Sequence, residues 1–322
     1  MYDVIIIGGG GSGLSAGLYN CRAQLKTILI EKQSTGGQIA ITSDVENYPG
    51  FPEGILGPEL AKRMEEQAVK FGLEIDYGLI GKILPGENDT YIVESSDGKK
   101  WGAPAVIIAS GADPRKLGIP GEIEFIGKGV SYCGTCDAPF FRGRNVVVVG
   151  GGDAAVEEAI YIAGFAAQVT IIHRRDKLRA TPIIQERAFA TDNISFKWDT
   201  VCTEINGKDF VESVSLGNVK TNEKEDMAID GVFIFIGHVP NTSFLGANEG
   251  FPEGVVELDS AGFVKTDIRM RTNRPGIFAA GDVRTDAMMQ LVTACGDGVT
   301  AALQAQHYLA DKKGSAQPDR NR

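Results

Sequence analysis

The chain has 322 residues, 43% of them apolar and 23% charged, enough for about two ordinary domains with substantial cores. Its formal net charge of −10 argues against nucleic acid or an anionic membrane as the main partner, and no apolar run reaches the roughly 18 residues a spanning helix needs. Five cysteines are too sparse and odd a set for a disulfide framework, which points to a cytoplasmic protein, and the opening Tyr2-Asp3-Val4-Ile5-Ile6-Ile7 has no signal-peptide pattern.

In chain order, Val4 to Ile7 is a continuous apolar run, read as a central parallel strand. Gly8-Gly9-Gly10-Gly11-Ser12-Gly13 comes after it, then a helix over Leu14 to Ala23 and a second strand, Thr27-Ile28-Leu29-Ile30, that ends in Glu31. Each part of this unit has a task. Gly8 permits a tight turn, Gly10 lets a pyrophosphate approach the main chain, and Gly13 lets helix and strand pack closely. The helix start, with Gly11 and Ser12, offers free N–H groups to phosphates. Glu31 can accept hydrogen bonds from a ribose diol. Gly36-Gly37-Gln38 and Val45-Glu46-Asn47-Tyr48-Pro49-Gly50 read as polar loops lining a cofactor crevice, with Gly37, Gln38 and Asn47 among the expected contacts. Leu60 to Phe71 has helical spacing, Tyr91 to Glu94 alternates like a surface strand, and Ala105 to Ala109 is a further buried strand. Ala109 and Gly111, at the end of that strand, are expected at the same crevice.

Cys133-Gly134-Thr135-Cys136-Asp137 comes next, the chain's sole Cys-x-x-Cys. Such a pair can close a small, reducible disulfide or supply half of a metal site. Zinc would need a second pair or nearby histidines, whereas Cys21, Cys202 and Cys295 are scattered; the first two read as packing residues, and Cys295 as a core residue or a neighbour of the flavin. Asp137 can serve as general acid and base for a thiolate, or as an N-cap for the adjoining segment. Arg142 and Arg144 read as a solvated turn or as partner contacts. A second strand and turn come after them, Val146 to Val149 with Gly150-Gly151-Gly152-Asp153-Ala154-Ala155. An offset of 142 residues lays Gly8 on Gly150, Gly10 on Gly152 and Gly13 on Ala155, so the dinucleotide unit is an internal repeat. The same offset replaces Glu31 by His173, with Arg174, Arg175 and Arg179 close behind. Guanidinium groups bind a 2′-phosphate that a carboxylate repels. The second site therefore reads as NADP(H)-binding and the first as a site for an unphosphorylated ribose, as in FAD; the bland alternative is a solvated basic face.

Glu204 to Gly217 reads as antiparallel strands, Gly231 to Gly237 as a buried strand, His238 to Thr242 as a turn, and Gly262 to Thr266 as a short strand. Pro275 to Asp282 reads as a strand ending in Gly281-Asp282, where Asp282 can accept from a ribityl hydroxyl, and Gln290 to Leu309 as a helix whose N-terminus can face a flavin. The tail from Asp311 to Arg322 reads as polar and mobile.

Over nearly its whole length the chain resembles the low-molecular-weight thioredoxin reductases. The residues that carry the resemblance are Gly8 to Gly13, Gly36-Gly37-Gln38, Glu46 to Gly50, Cys133 to Asp137, Gly150 to Asp153, His173-Arg174-Arg175 with Arg179-Ala180, and Gly281-Asp282. The resemblance implies an α/β fold of two Rossmann-like domains, an NADPH-binding domain (116–243) being inserted into an FAD-binding domain split between 1–115 and 244–322. It implies a homodimer that passes electrons from NADPH through FAD to the Cys133–Cys136 disulfide and on to thioredoxin. In it Cys136 is the sulfur nearest the flavin and Cys133 the one that attacks the partner. Gln290 matches the pattern, but Met288-Met289 stands where Tyr-Arg is more usual, and Cys295 where a small residue is. Competing readings are a related flavoprotein that oxidises a dithiol or reduces another redox protein, and a redox-inactive nucleotide-binding regulator.

Overall fold

A computed structural model describes residues 1–42, 44–312 and 314. Most of the tail from Asp311 to Arg322 lies outside the described residues. The chain divides into two compact units: Met1–Asp113 together with the residues from Val239 on, and Pro114–His238.

Among the described residues, the first unit is built on a five-stranded sheet in the order Ile277–Ala279, Ala105–Ile108, Val4–Ile7, Thr27–Glu31, Glu74–Tyr77. All its pairings are parallel. Strands Val4–Ile7, Thr27–Glu31 and Ala105–Ile108 are buried at every position, as parallel strands covered on both faces must be. Alternate side chains feed two different cores. Val4, Ile6, Leu29 and Ile107 pack with Leu14, Ala16, Ala301 and Ala305 of helices Gly11–Arg22 and Leu291–Lys312. Ile5, Ile7, Ile28 and Ile108 pack with Ile80, Ile83 and Val93 of an antiparallel sheet formed by Ile80–Pro85, Tyr91–Ser95 and Lys100–Ala103. Each fully buried aliphatic side chain contributes roughly 1.5–3 kcal/mol of transfer free energy.

The second unit repeats this plan. Its parallel sheet runs Val130–Ser131, Gly231–Phe235, Asn145–Gly150, Gln168–Ile172, Ile194–Lys197. An antiparallel sheet of Thr200–Gly207, Val211–Asn218 and Lys224–Ala228 accompanies it. The repeat extends to strand register: Val4 pairs with Thr27, and Val146 with Val169, each residue of the second pair standing 142 positions beyond its counterpart in the first.

Three local expectations are corrected. Gly36-Gly37-Gln38 is not plain loop: the left-handed Gly36 (φ +104°) and Gly37 (φ +55°) open a 3-10 helix over Gly37–Ile41. His238–Pro240 is a short strand paired with Ala112–Pro114 rather than a turn. Gly262 to Thr266 forms no strand; Gly262 is left-handed (φ +93°), and only Val264 bridges, to Leu258 and to Arg284.

The tightest contact in the first unit lies where helix Gly11–Arg22 backs onto its strand. A Cβ on Gly13 would stand 1.9 Å from the Gly8 carbonyl oxygen, a main-chain atom that cannot turn aside. Gly13→Ala is therefore expected to lower the thermal unfolding midpoint by several degrees, an overpacking cost of about 1–3 kcal/mol, which thermal scans check.

Candidate functional site

The residues expected at the first glycine turn come together in the first unit. Gly8 has φ +106°, and a Cβ on it would lie 2.4 Å from the Ala109 carbonyl oxygen, so both demands select glycine. Gly10 is the N-cap of helix Gly11–Arg22, and a Cβ there would meet nothing within 4 Å. Open space thus lies over the first-turn N–H groups, as a phosphate requires. Glu31 is 8% exposed and fixed on two sides. Its Oε2 accepts the Gly9 N–H and its Oε1 the Lys32 N–H, each at 2.7 Å. Gly37 lies against Gly10, a Cβ there being 3.3 Å from Gly10 Cα. Gln38 Nε2 donates to Asp113 Oδ1 at 2.7 Å, and Asn47 Nδ2 to Gln290 Oε1 at 3.3 Å, so two loops are each tied to a distant part of the same unit. Gly111 (φ +67°) turns the chain beyond Ala109, and its carbonyl accepts the Asn241 N–H at 3.0 Å.

Gly281 and Asp282 lie just beyond strand Ile277–Ala279 and meet the same turn. A Cβ on Gly281 would lie 2.8 Å from Ser12 Oγ. The Gly281 N–H donates to Asp297 Oδ2 at 3.2 Å, and Arg284 Nε donates to the same oxygen at 2.6 Å. Burial, and after it the charge of Asp297, pushes the Asp282 carboxyl up to about 6. Neither Asp297 nor Arg284 figures among the residues singled out from sequence. Cys295 is buried beside this turn, its Sγ 3.2 Å from where a Gly11 Cβ would stand. Tyr48 Oη donates to that sulfur at 3.9 Å. This set fits a dinucleotide: N–H groups facing open space, a fixed carboxylate at the ribose position, and no side chain over Gly10.

In the second unit, strand Val130–Ser131 leads into the cysteine pair. Cys133 and Cys136 are joined in a disulfide, their Cα atoms 5.3 Å apart, across the short helix Gly134–Asp137. The N-cap of that helix is Cys133, whose Sγ accepts the Cys136 N–H at 3.2 Å. Asp137 makes no side-chain cap to the 3-10 turn Ala138–Phe141, which removes its capping alternative. Burial instead raises the Asp137 carboxyl above its usual range, opposed by a hydrogen bond with the Ser131 hydroxyl. Such a carboxyl can hold a proton nearer neutral pH and pass it to a thiolate. Ser131 Oγ also accepts the Cys133 N–H at 3.1 Å. Upstream, the buried Glu122 accepts from Leu117 N–H at 2.9 Å, Gly118 N–H at 2.7 Å and Tyr132 Oη at 2.7 Å, fixing the approach to Cys133.

The second glycine turn lies in this same unit. Gly152 is the N-cap of helix Asp153–Ala163, behind Gly150 at the end of its strand. Ala154 is exposed, and Asp153 Oδ1 accepts the Thr181 N–H at 2.7 Å. His173 is 6% exposed and its ring lies under the turn, with Nδ1 2.3 Å from where a Gly151 Cβ would stand. Its Nε2 is buried without a hydrogen-bond partner. Burial and the charges of Arg179, Arg175 and Arg174 lower its pKa, so the ring is neutral at pH 7. Arg179 N–H donates to the Gly151 carbonyl at 2.7 Å, and its guanidinium is 3.8 Å from a Gly152 Cβ position. Arg174, Arg175 and Arg179 are exposed at this rim, where a phosphate can reach them. Among the described residues, no cluster of three His, Cys, Asp or Glu is placed to hold a metal ion, and no helix is long and apolar enough to cross a membrane.

Fold and site together define an oxidoreductase built on two dinucleotide-binding units with a working disulfide. A family model described as pyridine nucleotide-disulphide oxidoreductase matches residues 2–298. The chain is 49% identical over 314 residues to a thioredoxin reductase of Bacillus subtilis, spanning 97% of this chain and 96% of that one. It is 48% identical over 323 residues to one from Peptoclostridium acidaminophilum, spanning 96% and 97%. The crystal structure of a Streptococcus pyogenes thioredoxin reductase matches with a TM-score of 0.89 at 47% identity, over 97% of this chain and 99% of that one. The chain belongs to the pyridine nucleotide-disulphide oxidoreductases, and among them to the low-molecular-weight thioredoxin reductases.

The raised Asp282 carboxyl has a pH signature. An ordinary Asp titrates near 4, so in flavin-free protein ionising Asp282 costs stability as pH rises from about 4 through 6 and costs nothing below. Asp282→Asn is expected to stabilise the flavin-free protein at pH 7.5 by on the order of 3 kcal/mol at most, raising its melting temperature, with the gain fading by about pH 4. Thermal scans across that range check the sign.

Proposed function

We propose that this chain is an NADPH-dependent thioredoxin-disulfide reductase that carries FAD and works as a cytoplasmic homodimer. The carrying observation is the Cys133–Cys136 disulfide beside the raised carboxyl of Asp137, in a unit with its own nucleotide turn. FAD belongs to the first turn, where Glu31 suits an unphosphorylated ribose and Asp282 a ribityl hydroxyl. Gly8 to Gly13, Gly37, Gln38, Asn47, Ala109, Gly111, Gly281 and Gln290 would line that site. NADPH belongs to the second, where Arg174, Arg175 and Arg179 would receive the 2′-phosphate over Gly150, Gly152, Asp153 and Ala154, and the buried His173, expected from the sequence at the phosphate, instead supports the turn from beneath.

When bound, nicotinamide and flavin supply hydride chemistry that delivers an electron pair to the disulfide. The protein's own steps are thiol chemistry. Cys133, as thiolate, attacks the partner's disulfide; a mixed disulfide forms and the second partner sulfur leaves as thiolate. Cys136 then attacks Cys133 Sγ, restoring the internal disulfide and releasing the reduced partner. Asp137 supplies the proton that a departing thiolate takes up and accepts the one that Cys136 gives up before it attacks. Cys136 and Gly150 are only 14 residues apart in one unit, so pair and nicotinamide cannot both face one flavin surface in a single arrangement. The inserted unit therefore turns between two arrangements, with hinges near Ala112 to Gly118 and near Pro240 to Leu245.

NADPH should bleach the flavin, and oxidised thioredoxin should then restore it with turnover. Failure of NADPH to bleach would defeat the nucleotide assignment, and bleaching without thioredoxin turnover would move the reading to another redox partner or to a dithiol oxidase. Replacing Arg174 and Arg175 together by Ala should raise KM for NADPH at least about tenfold, the worth of roughly 1.4 kcal/mol of lost phosphate contact, while leaving NADH kinetics unchanged. Cys136→Ser should still bleach but not turn over. A cross-link joining the two units should abolish turnover yet spare one half-reaction; full turnover in the linked protein would disprove the rotation.

A further inference from the structure

The redox turn rests on helix Asp153–Ala163, and Glu158 of that helix meets the turn between the two cysteines. A Cβ on Gly134 would lie 1.9 Å from Glu158 Oε2 and 3.1 Å from its Cδ, with Ile162 Cδ1 at 3.4 Å. The carboxyl is thus pressed against the main chain of the Cys-x-x-Cys segment, with an aliphatic side chain beside it. Its Oε2 is buried and has no hydrogen-bond partner. Burial, and after it the charge of Glu157, raises the carboxyl above its usual range, opposed by hydrogen bonds from the Thr135 and Gly134 N–H groups.

We propose that Glu158 is a positioning residue for the known reaction, one that sets the redox poise of the Cys133–Cys136 disulfide through the charge of a carboxyl held against the turn between the two sulfurs. Reducing the pair breaks one S–S bond with two electrons, which the established reaction supplies. It takes two protons to give two thiols, or one where a sulfur stays as thiolate. The Cys136 N–H donates to Cys133 Sγ at 3.2 Å and would steady a thiolate there. The charge of Glu158, held against Gly134, opposes a second negative charge alongside. The carboxylate therefore holds the pair toward the oxidised form. That makes the dithiol a stronger reductant toward a partner disulfide.

The test reads the disulfide itself and needs neither NADPH nor thioredoxin, so it fails independently of the assigned activity. Flavin-loaded parent, Glu158→Gln and Glu158→Asp proteins are equilibrated without oxygen in graded dithiothreitol buffers. The Cys133 and Cys136 thiols are then alkylated and counted by peptide mass. Glu158→Gln, which keeps shape and removes charge, is expected to shift the equilibrium toward the dithiol at least about threefold, or roughly 15 mV, a tenfold change being about 29.6 mV. Glu158→Asp, which keeps the charge, is expected to stay nearer the parent than to the Gln variant. If Glu158→Gln does not accumulate folded, Glu158→Ala is read in the same way. An unchanged equilibrium in the uncharged variant overturns the proposal. A shift as large in Glu158→Asp also overturns it, because packing rather than charge would then be at work.

Discussion

Both glycine turns depend on a strand that runs directly into a helix with no room for side chains between them. In the first unit the fit is closest: Gly13 lies on the Gly8 carbonyl, Gly281 on Ser12 Oγ, and Gly298 so near the Ser12 carbonyl that a Cβ would stand 2.0 Å away. Three segments of the chain thereby converge on one helix start, and its first-turn N–H groups stay open. The second unit relaxes the constraint by one methyl group. Ala155 replaces the third glycine, and a Cβ added to Gly150 would then sit 2.5 Å from the Ala155 Cβ. The turn persists, and the rim beyond it changes from a buried carboxylate at Glu31 to a neutral His173 with three arginines.

That exchange divides the labour. One unit presents a carboxylate set, Glu31 and Asp282, suited to hydroxyl groups; the other presents guanidinium groups suited to phosphate. The redox disulfide belongs to the second unit. There it is held from three sides: Ser131 fixes the Cys133 main chain, Glu122 fixes the Tyr132 approach, and Glu158 closes on Gly134. Two carboxyls, Asp137 and Glu158, both raised by burial, flank one pair of sulfurs.

How much was legible in the sequence depended on how local each cause is. The two glycine turns, the strands entering them and the cysteine pair rest on steric demands within a few residues, so pattern alone reveals them. The arginine rim became legible only through the internal repeat, which carried Glu31 onto His173. The Asp297–Arg284 pair that grips Gly281 was not legible, because it joins a distant helix to a loop through side chains that read as ordinary surface charges. Glu158 was hidden for a related reason: Glu157-Glu158 looks like a solvated pair. The available signal was helical spacing, since Glu158 lies three residues after the buried Ala155 and four before the buried Ile162, on the inward face. The strand at His238–Pro240 was missed because its partner, Ala112–Pro114, is over a hundred residues away.

The central claim is that one electron pair resides on the flavin and a second on the Cys133–Cys136 sulfurs. Anaerobic reductive titration of the flavin-loaded protein, tracked by flavin absorbance and thiol count, tests it most directly. The account predicts uptake of two electron pairs per chain in the parent and one in Cys136→Ser, with two new thiols appearing in the parent as the disulfide opens. Uptake of a single pair by the parent, with the disulfide still closed when the flavin is fully reduced, would contradict it.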